Sequence, residues 1–224
     1  MIAALHIVDA GVMEYRAAWD MQLALHTRVL EGEFPAGALM LVEHEPVITI
    51  GRHPGSALHL LASPQMLAAR GVPVVETDRG GDITFHGPGQ LVAYPIIPLN
   101  TYNINLHTYM RFLEAVVIAL LLRYGIKGER SAGATGVWVQ SKDRGFAKVC
   151  AMGVKLRRWV TFHGLALNVT TDLSFFDLIN PCGLGLPVTS LKELVGEFAP
   201  GMAAVKNAIA EEFGARIATI NSPK

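Results

Sequence analysis

Apolar residues are spaced along this chain in two different ways, and the difference separates helices from strands. Residues 13–31 set Leu23, Leu25, Val29 and Leu30 among charged neighbours and end at Gly32, which predicts a helix. Residues 105–124, closed by Gly125, predict the longest helix, and its densest apolar run lies at 112–122. Pro64–Arg70 predicts a short helix with Ser63 as N-cap and Gly71 just past its end. Residues 202–213 predict a last amphipathic helix.

The shorter apolar runs are of β type. Residues 38–42 and Val47–Ile50 flank a predicted turn at His44-Glu45-Pro46. Residues 72–76 and 91–97 predict strands on either side of the glycine-rich stretch 80–89. From 136 to 169 the pattern is all strand, with runs at 137–139, 146–156 and 159–169 and hairpin turns at 141–145 and Arg157-Arg158. Leu173–Leu178 predicts a helical turn before a loop at 180–187. Helices and strands mix without regular βαβ alternation, and no repeat, low-complexity tract or linker divides the chain. The expected fold class is α+β, a single domain over residues 1–224 with a mixed, largely antiparallel sheet flanked by helices.

Composition removes several classes of function. The run at 112–122 is interrupted by Glu114, closed by Arg123 and about half of the roughly 20 residues that a membrane span requires, so a buried helix is expected and no membrane role. Nineteen basic and nineteen acidic residues cancel, leaving no overall field for nucleic acid. The first eleven residues have no basic start and carry Asp9, unlike a secretory signal. Two cysteines make no disulfide framework, and a cytoplasmic location is expected.

Candidate chemistry begins with Cys182 in Asn180-Pro181-Cys182-Gly183, where proline and glycine fix a tight turn that can present a thiol. Taken alone, it is either a nucleophile or a loop cysteine without a role. Cys150, inside the strand-like run 147–153, fits a small buried hydrophobe. Lys148 lies in the same run, and a lysine there either points to solvent, the commoner fate, or is held in a site where its charge lowers a thiol pKa. The block Arg79-Gly80-Gly81-Asp82-Ile83-Thr84-Phe85-His86-Gly87-Pro88-Gly89-Gln90 places four glycines at a point where backbone can approach a ligand closely, or builds a glycine-rich hairpin. It is neither a P-loop nor a dinucleotide fingerprint. His163 precedes the small-residue strand 164–168. His44, His53, His86 and His163 lack metal-ligand spacing, so no metal is expected.

The 79–90 block resembles the R-G-G-x-x-T-[FY]-H-G-P-G-Q motif of the lipoate biosynthesis octanoyltransferases. The resemblance continues through 148–156, through Thr161-Phe162-His163-Gly164-Leu165-Ala166-Leu167-Asn168-Val169 and into Asn180-Pro181-Cys182-Gly183. It implies a fold like that of biotin and lipoate protein ligases. It also implies that Cys182 carries the acyl thioester and that Lys148 lowers its pKa. Arg79, Gly80, Gly81, Asp82, Ile83, Thr84, Phe85 and His86 would line the acyl site, together with Ala151, Met152, Gly153, His163, Gly164, Leu165 and Ala166.

The donor implied is octanoyl-acyl carrier protein; the acceptors implied are lipoyl domains of 2-oxoacid dehydrogenase E2 subunits and the glycine cleavage H protein. No cofactor is implied, because the acyl group arrives activated. Backbone N–H groups near Gly153 or Gly164 are candidates for holding the oxyanion. The alternatives are an ATP-dependent lipoate or biotin protein ligase, a non-catalytic acyl- or partner-binding module, and a thiol hydrolase.

Overall fold

The longest helix, α3 (Leu106–Arg123), starts where the Asn105 side chain accepts from the Thr108 N–H at 2.9 Å. It buries Tyr109, Phe112, Leu113, Val116, Val117, Leu120 and Leu121, a stripe at three- and four-residue spacing. Glu114 breaks the apolar run yet is fully buried. Arg111 at 2.7 Å and Arg130 at 2.9 Å donate to its carboxylate, which compensates the charge and ties the start of the following strand to the helix. With α5 (Met202–Ile217), α3 covers one face of a large sheet. The opposite face is covered by α1 (Tyr15–Leu30), capped by Glu14 accepting from the Ala17 N–H.

The computed structural model describes residues 4–181, 187–217 and 219–220. Its remaining elements are β1 (His6–Met13), β2 (Ala38–His44), β3 (Val47–Ile50), α2 (Pro64–Arg70), β4 (Val74–Glu76), β5 (Thr84–His86), β6 (Gln90–Ile96), β7 (Gly128–Ser131), β8 (Ala134–Ser141), β9 (Gly145–Arg157), β10 (Val160–Asn168) and α4 (Leu191–Val195). The large sheet runs β1-β2-β6-β10-β9-β8-β7, antiparallel throughout except for the parallel pair β1–β2. A small sheet, β4-β3-β5, packs its own apolar cluster around Ile48, Phe85 and Phe176. No helix among the described residues is long and apolar enough to cross a membrane.

The α+β class and the mixed, largely antiparallel sheet agree with expectation. Two strands were not anticipated, β1 and β7, and these are the two edges of the large sheet. An edge strand buries little, so its sequence carries little alternation; β7 reads Gly-Glu-Arg-Ser and leaves Glu129 and Arg130 exposed. The turn at 44–46 is present, but β2 and β3 do not pair. It carries the chain from the large sheet into the small one.

The pairing of β10 with β6 begins at Leu165 opposite Ala93. Just before it, His163 has φ 60°, a left-handed backbone for a residue with a side chain, and the strand presses onto β6 at Gly164. A Cβ on Gly164 would lie 2.1 Å from the Ala93 carbonyl oxygen and 2.6 Å from Pro95 Cδ. Gly164→Ala is therefore expected to cost at least about 3 kcal/mol, read as a lowered urea midpoint. A midpoint equal to the parent's would show that β6 yields freely and that glycine is not required here.

Candidate active site

Where β9 runs beside β10, the paired positions are small. Gly153 faces Gly164 and Ala151 faces Ala166. The sheet is bare there, and the segment linking β4 to β5 folds over it. The Gly80 N–H donates to the Val154 carbonyl at 2.9 Å, and a Cβ on Gly153 would meet the Gly80 oxygen at 2.6 Å. Between this roof and the sheet lies a cavity of about 510 Å³. Leu106 and Met110 of α3 and residues 133–135 add a further wall.

The roof is held from inside. Arg79 is buried, and its guanidinium donates to the Thr49 carbonyl at 2.8 Å, the Thr49 hydroxyl at 2.9 Å and the Gly80 carbonyl at 3.2 Å. Gly51 leaves the room this requires, since a Cβ on it would be 2.2 Å from the Gly81 oxygen. Asp82 accepts from the Ile83 N–H and pairs with His59 Nδ1 at 2.7 Å. Burial opposes its ionisation, but the hydrogen bonds from His59, Ile83 and Ser56 win and hold its pKa below the usual carboxylate range.

Lys148 stands beside a β-bulge. Trp138 pairs with Lys148 and Val137 with Cys150, so Val149 is the extra residue. In a regular strand positions 148 and 150 share a face. Here Val149 and Cys150 both enter the core while Lys148 lines the cavity. Its amine lies 4.8 Å from the centroid of the Trp138 ring, a cation–π contact. Cys150 is completely buried, and burial pushes its thiol far above the ordinary cysteine value.

Lys148 also holds the chain beyond residues 182–186. Its N–H donates to the Pro187 carbonyl at 2.9 Å, its carbonyl accepts from the Thr189 N–H at 3.0 Å, and Val188 bridges it in parallel. On the other side of that stretch, the Asn180 N–H donates to the His59 carbonyl at 2.8 Å and Ile179 bridges Leu60. Pro181 and Val188 both line the cavity. Cys182 itself lies outside the described residues.

Of the residues singled out from the sequence, Arg79–Thr84, His86, Lys148, Ala151–Gly153 and His163–Ala166 all line this one cavity. Phe85 instead turns into the small-sheet core and stacks on Phe175 at 4.6 Å. Strand alternation sends it to the opposite side from His86. Gly153 and Gly164 are a poor source of oxyanion donors for a carbonyl near Lys148. Gly153 lies five residues along β9 from Lys148, roughly 16 Å at the rise of a strand, with Gly164 opposite it in β10, and the Lys148 amine leans toward β8. Their smallness suits the tail of a ligand.

Several residues that were not among the expected acyl-site residues complete the site. Tyr15, Gln90, Tyr94 and Asn168 line the cavity, and Asp78 and Thr49 stand behind it. Asp78 directly precedes the glycine-rich block, which was the one available signal for it. His163 Nε2 donates to Asp78 at 2.7 Å, and Lys155 makes a close ion pair with the same carboxylate. Burial lowers the His163 pKa to about 4 against the pull of Asp78, so the imidazole is neutral at pH 7. His44 is likewise lowered to about 4 by burial. The Met13 carbonyl takes its Nδ1–H at 3.1 Å, leaving Nε2 to accept from the Tyr94 hydroxyl at 2.7 Å. His86, fully buried, is pushed well below the ordinary value. Among the described residues, no cluster of three His, Cys, Asp or Glu is placed to hold a metal ion.

The fold is that of the protein ligases that attach lipoate or biotin. A lipoate protein ligase of Thermoplasma acidophilum, described with its E2 lipoyl domain, superposes with a TM-score of 0.67 over 96% of this chain and 84% of that one, at 15% identity. A biotin protein ligase from Aquifex aeolicus, in complex with biotin and ATP, superposes with 0.58 over 98% and 73%, at 13% identity. Residues 14–214 match the lipoyl protein ligase A/B catalytic domain family. An octanoyltransferase of Chloroflexus aurantiacus is 50% identical over 91% of this chain and 90% of its own length. The chain thus belongs to the lipoyl protein ligase A/B catalytic domain family, among its octanoyltransferases.

The four buried histidines, His26, His44, His86 and His163, make stability depend on acid. In the unfolded chain their imidazoles take up protons near pH 6.5, whereas His44 and His163 in the fold refuse them until about pH 4. The unfolded state therefore binds more protons in that window, and stability falls as pH drops from 6.5 to 4. Urea midpoints at pH 7 and pH 4.5 should differ accordingly, and His44→Gln should flatten part of the slope. A midpoint constant over this range would mean that the imidazoles are charged in the fold.

Proposed function

We propose that residues 1–224 act as one catalytic domain that carries an octanoyl group on Cys182 and passes it to a lysine of a lipoyl domain. One observation carries the reading. The Lys148 amine lines the cavity under the Arg79–Thr84 roof, and the chain is anchored to that same cavity on both sides of Cys182.

In the first half-reaction the Cys182 thiolate attacks the thioester carbonyl of octanoyl-acyl carrier protein. The tetrahedral intermediate collapses by breaking the bond to the phosphopantetheine sulfur, and Lys148 gives that sulfur a proton. One thioester replaces another, so the exchange is close to balanced. In the second, a neutral lysine amine attacks the Cys182 thioester and gives up a proton to the now neutral Lys148, the bond to the Cys182 sulfur breaks, an amide forms, and the thiolate returns. An ammonium at 148 lowers the pKa of a thiol beside it, which provides thiolate at neutral pH.

The bare floor at Ala151, Gly153, Gly164 and Ala166 suits an acyl tail, with each buried methylene contributing about 0.8 kcal/mol. The donor brings the acyl group already activated, so the scheme uses no nucleotide. The lipoyl domains of 2-oxoacid dehydrogenase E2 subunits and the glycine cleavage H protein are the acceptors in this reading. A cysteine kept as a thiol suits a cytoplasmic setting.

Mixing the protein with octanoyl-acyl carrier protein without ATP, desalting and weighing it intact should reveal one octanoyl adduct. The adduct should be labile to hydroxylamine, absent from Cys182→Ser, and chased onto a lipoyl domain as an amide. No adduct on the parent protein, or transfer only when ATP is added, would overturn the scheme.

A further inference from the structure

A continuous buried line of hydrogen bonds joins the roof of the cavity to the backbone of Lys148. Arg79 donates to the Thr49 hydroxyl at 2.9 Å, and that hydroxyl lies 3.3 Å from His86 Nε2. His86 Nδ1 is 2.8 Å from Gln90 Oε1. Gln90 Nε2 donates to the Phe85 carbonyl at 3.1 Å and to Asn168 Oδ1 at 2.9 Å. Asn168 Nδ2 donates to the Thr189 carbonyl at 3.0 Å, and the Thr189 N–H donates to the Lys148 carbonyl at 3.0 Å. Thr49, His86, Gln90, Asn168 and Thr189 are all buried.

The direction of every link is determined by chemistry. The carbonyls of Phe85 and Thr189 can only accept, so they fix which way the amides of Gln90 and Asn168 face. Gln90 then shows its oxygen to His86, which puts the imidazole proton on Nδ1 and leaves Nε2 to accept from Thr49. Each group from Arg79 to Asn168 therefore donates onward, ending on the Thr189 carbonyl, and bonds so aligned polarise one another. Burial keeps His86 neutral, as this order requires.

We propose that Gln90 and Asn168 are positioning residues for the acyl-transfer chemistry: they hold the extended 187–189 segment, and through it the backbone of Lys148, in the register that brings the Lys148 amine to the reacting thiol. The proposal rests on the Cys182–Lys148 reading above. The segment from 187 to 189 is the carboxyl-side anchor of the stretch that contains Cys182, and it has backbone bonds to Lys148 on both sides of Val188. Asn168 is the group in β10 that reaches its last carbonyl, that of Thr189. Without that hydrogen bond, the segment can shift relative to β9 by the fraction of an ångström that matters for a charge acting on a neighbouring thiol.

Asn168→Leu and Gln90→Met keep the approximate size, add no charge and break the line at two different links. The readout is the pH profile of Cys182 alkylation by iodoacetamide, assigned by peptide mapping against the buried Cys150, together with octanoyl transfer. Each variant that folds should move the alkylation midpoint up by about one pH unit and lower kcat about tenfold, the equivalent of one hydrogen bond's contribution, with KM for octanoyl-acyl carrier protein little changed. In the Lys148→Ala background, neither substitution should shift the midpoint further. A purely structural role would lower the urea midpoint without this dependence on Lys148.

Parent-like midpoint and kcat in a folded Asn168→Leu or Gln90→Met protein would overturn the proposal, as would a shift that persists in full without Lys148. If Lys148→Ala alone leaves the midpoint unmoved, the underlying Cys182–Lys148 reading fails as well. If it moves the midpoint and Asn168→Leu does not, only the positioning role fails.

Discussion

Backbone lying on backbone is the constraint from which the rest of this site follows. Antiparallel strands β9 and β10 give up their side chains at the Gly153–Gly164 and Ala151–Ala166 pairs, and the 79–84 segment descends onto the bare sheet. A single added carbon at 153 or 164 would overlap a carbonyl oxygen of the roof or of β6. The cavity is thus the space left when a loop is held over a sheet from which the side chains have been removed. Its shape depends on hydrogen bonds and glycine as well as on apolar side chains such as Leu106, Met110 and Leu165.

Holding a loop that low means burying its polar groups, and the molecule surrounds one buried guanidinium with hydrogen-bond acceptors and neutral imidazoles. Arg79 donates to Thr49 and Gly80 through its two terminal nitrogens; His44 lies between Met13 and Tyr94; His163 is turned onto Asp78. The imidazoles stay uncharged because burial costs a charged group more than their partners return. Hydrogen bonds in such a buried layer help to specify one arrangement. The layer extends to the small sheet through His86 and Thr49, so the small sheet supports the site as well as flanking it.

The two ends of the cavity differ in kind. Lys148, Asn168, Pro181 and Val188 gather at one end, next to the anchored stretch that contains Cys182. The Gly153–Gly164 rung and the His163–Asp78 pair lie several residues further along β9 and β10. In the proposed scheme, transfer at the first end with the tail directed toward the second would use the strand direction as the axis of the ligand. The ligases that share the fold at 13–15% identity show how far sequence can diverge around this frame while the chain keeps its course.

Much of this was legible before any coordinates. Helices α1, α2, α3 and α5 follow from apolar spacing and from caps such as Asn105 and Ser63, because both are local properties of a few neighbouring residues. The glycine-rich block and the His163–Asn168 run marked the roof and the floor, because close approach of backbone demands glycine wherever it occurs. What only the tertiary structure decided was non-local. The edge strands β1 and β7 bury too little to show a pattern, and Phe85 faces away from its own motif because a strand alternates. The orientation of Lys148 turned on one extra residue: a bulge at Val149 reverses the face of every position before it, and a bulge is a relation between two strands that neither sequence contains alone. The Gln90–Asn168–Thr189 line joins residues 78 and 21 positions apart, which interact only once the sheet has set its register.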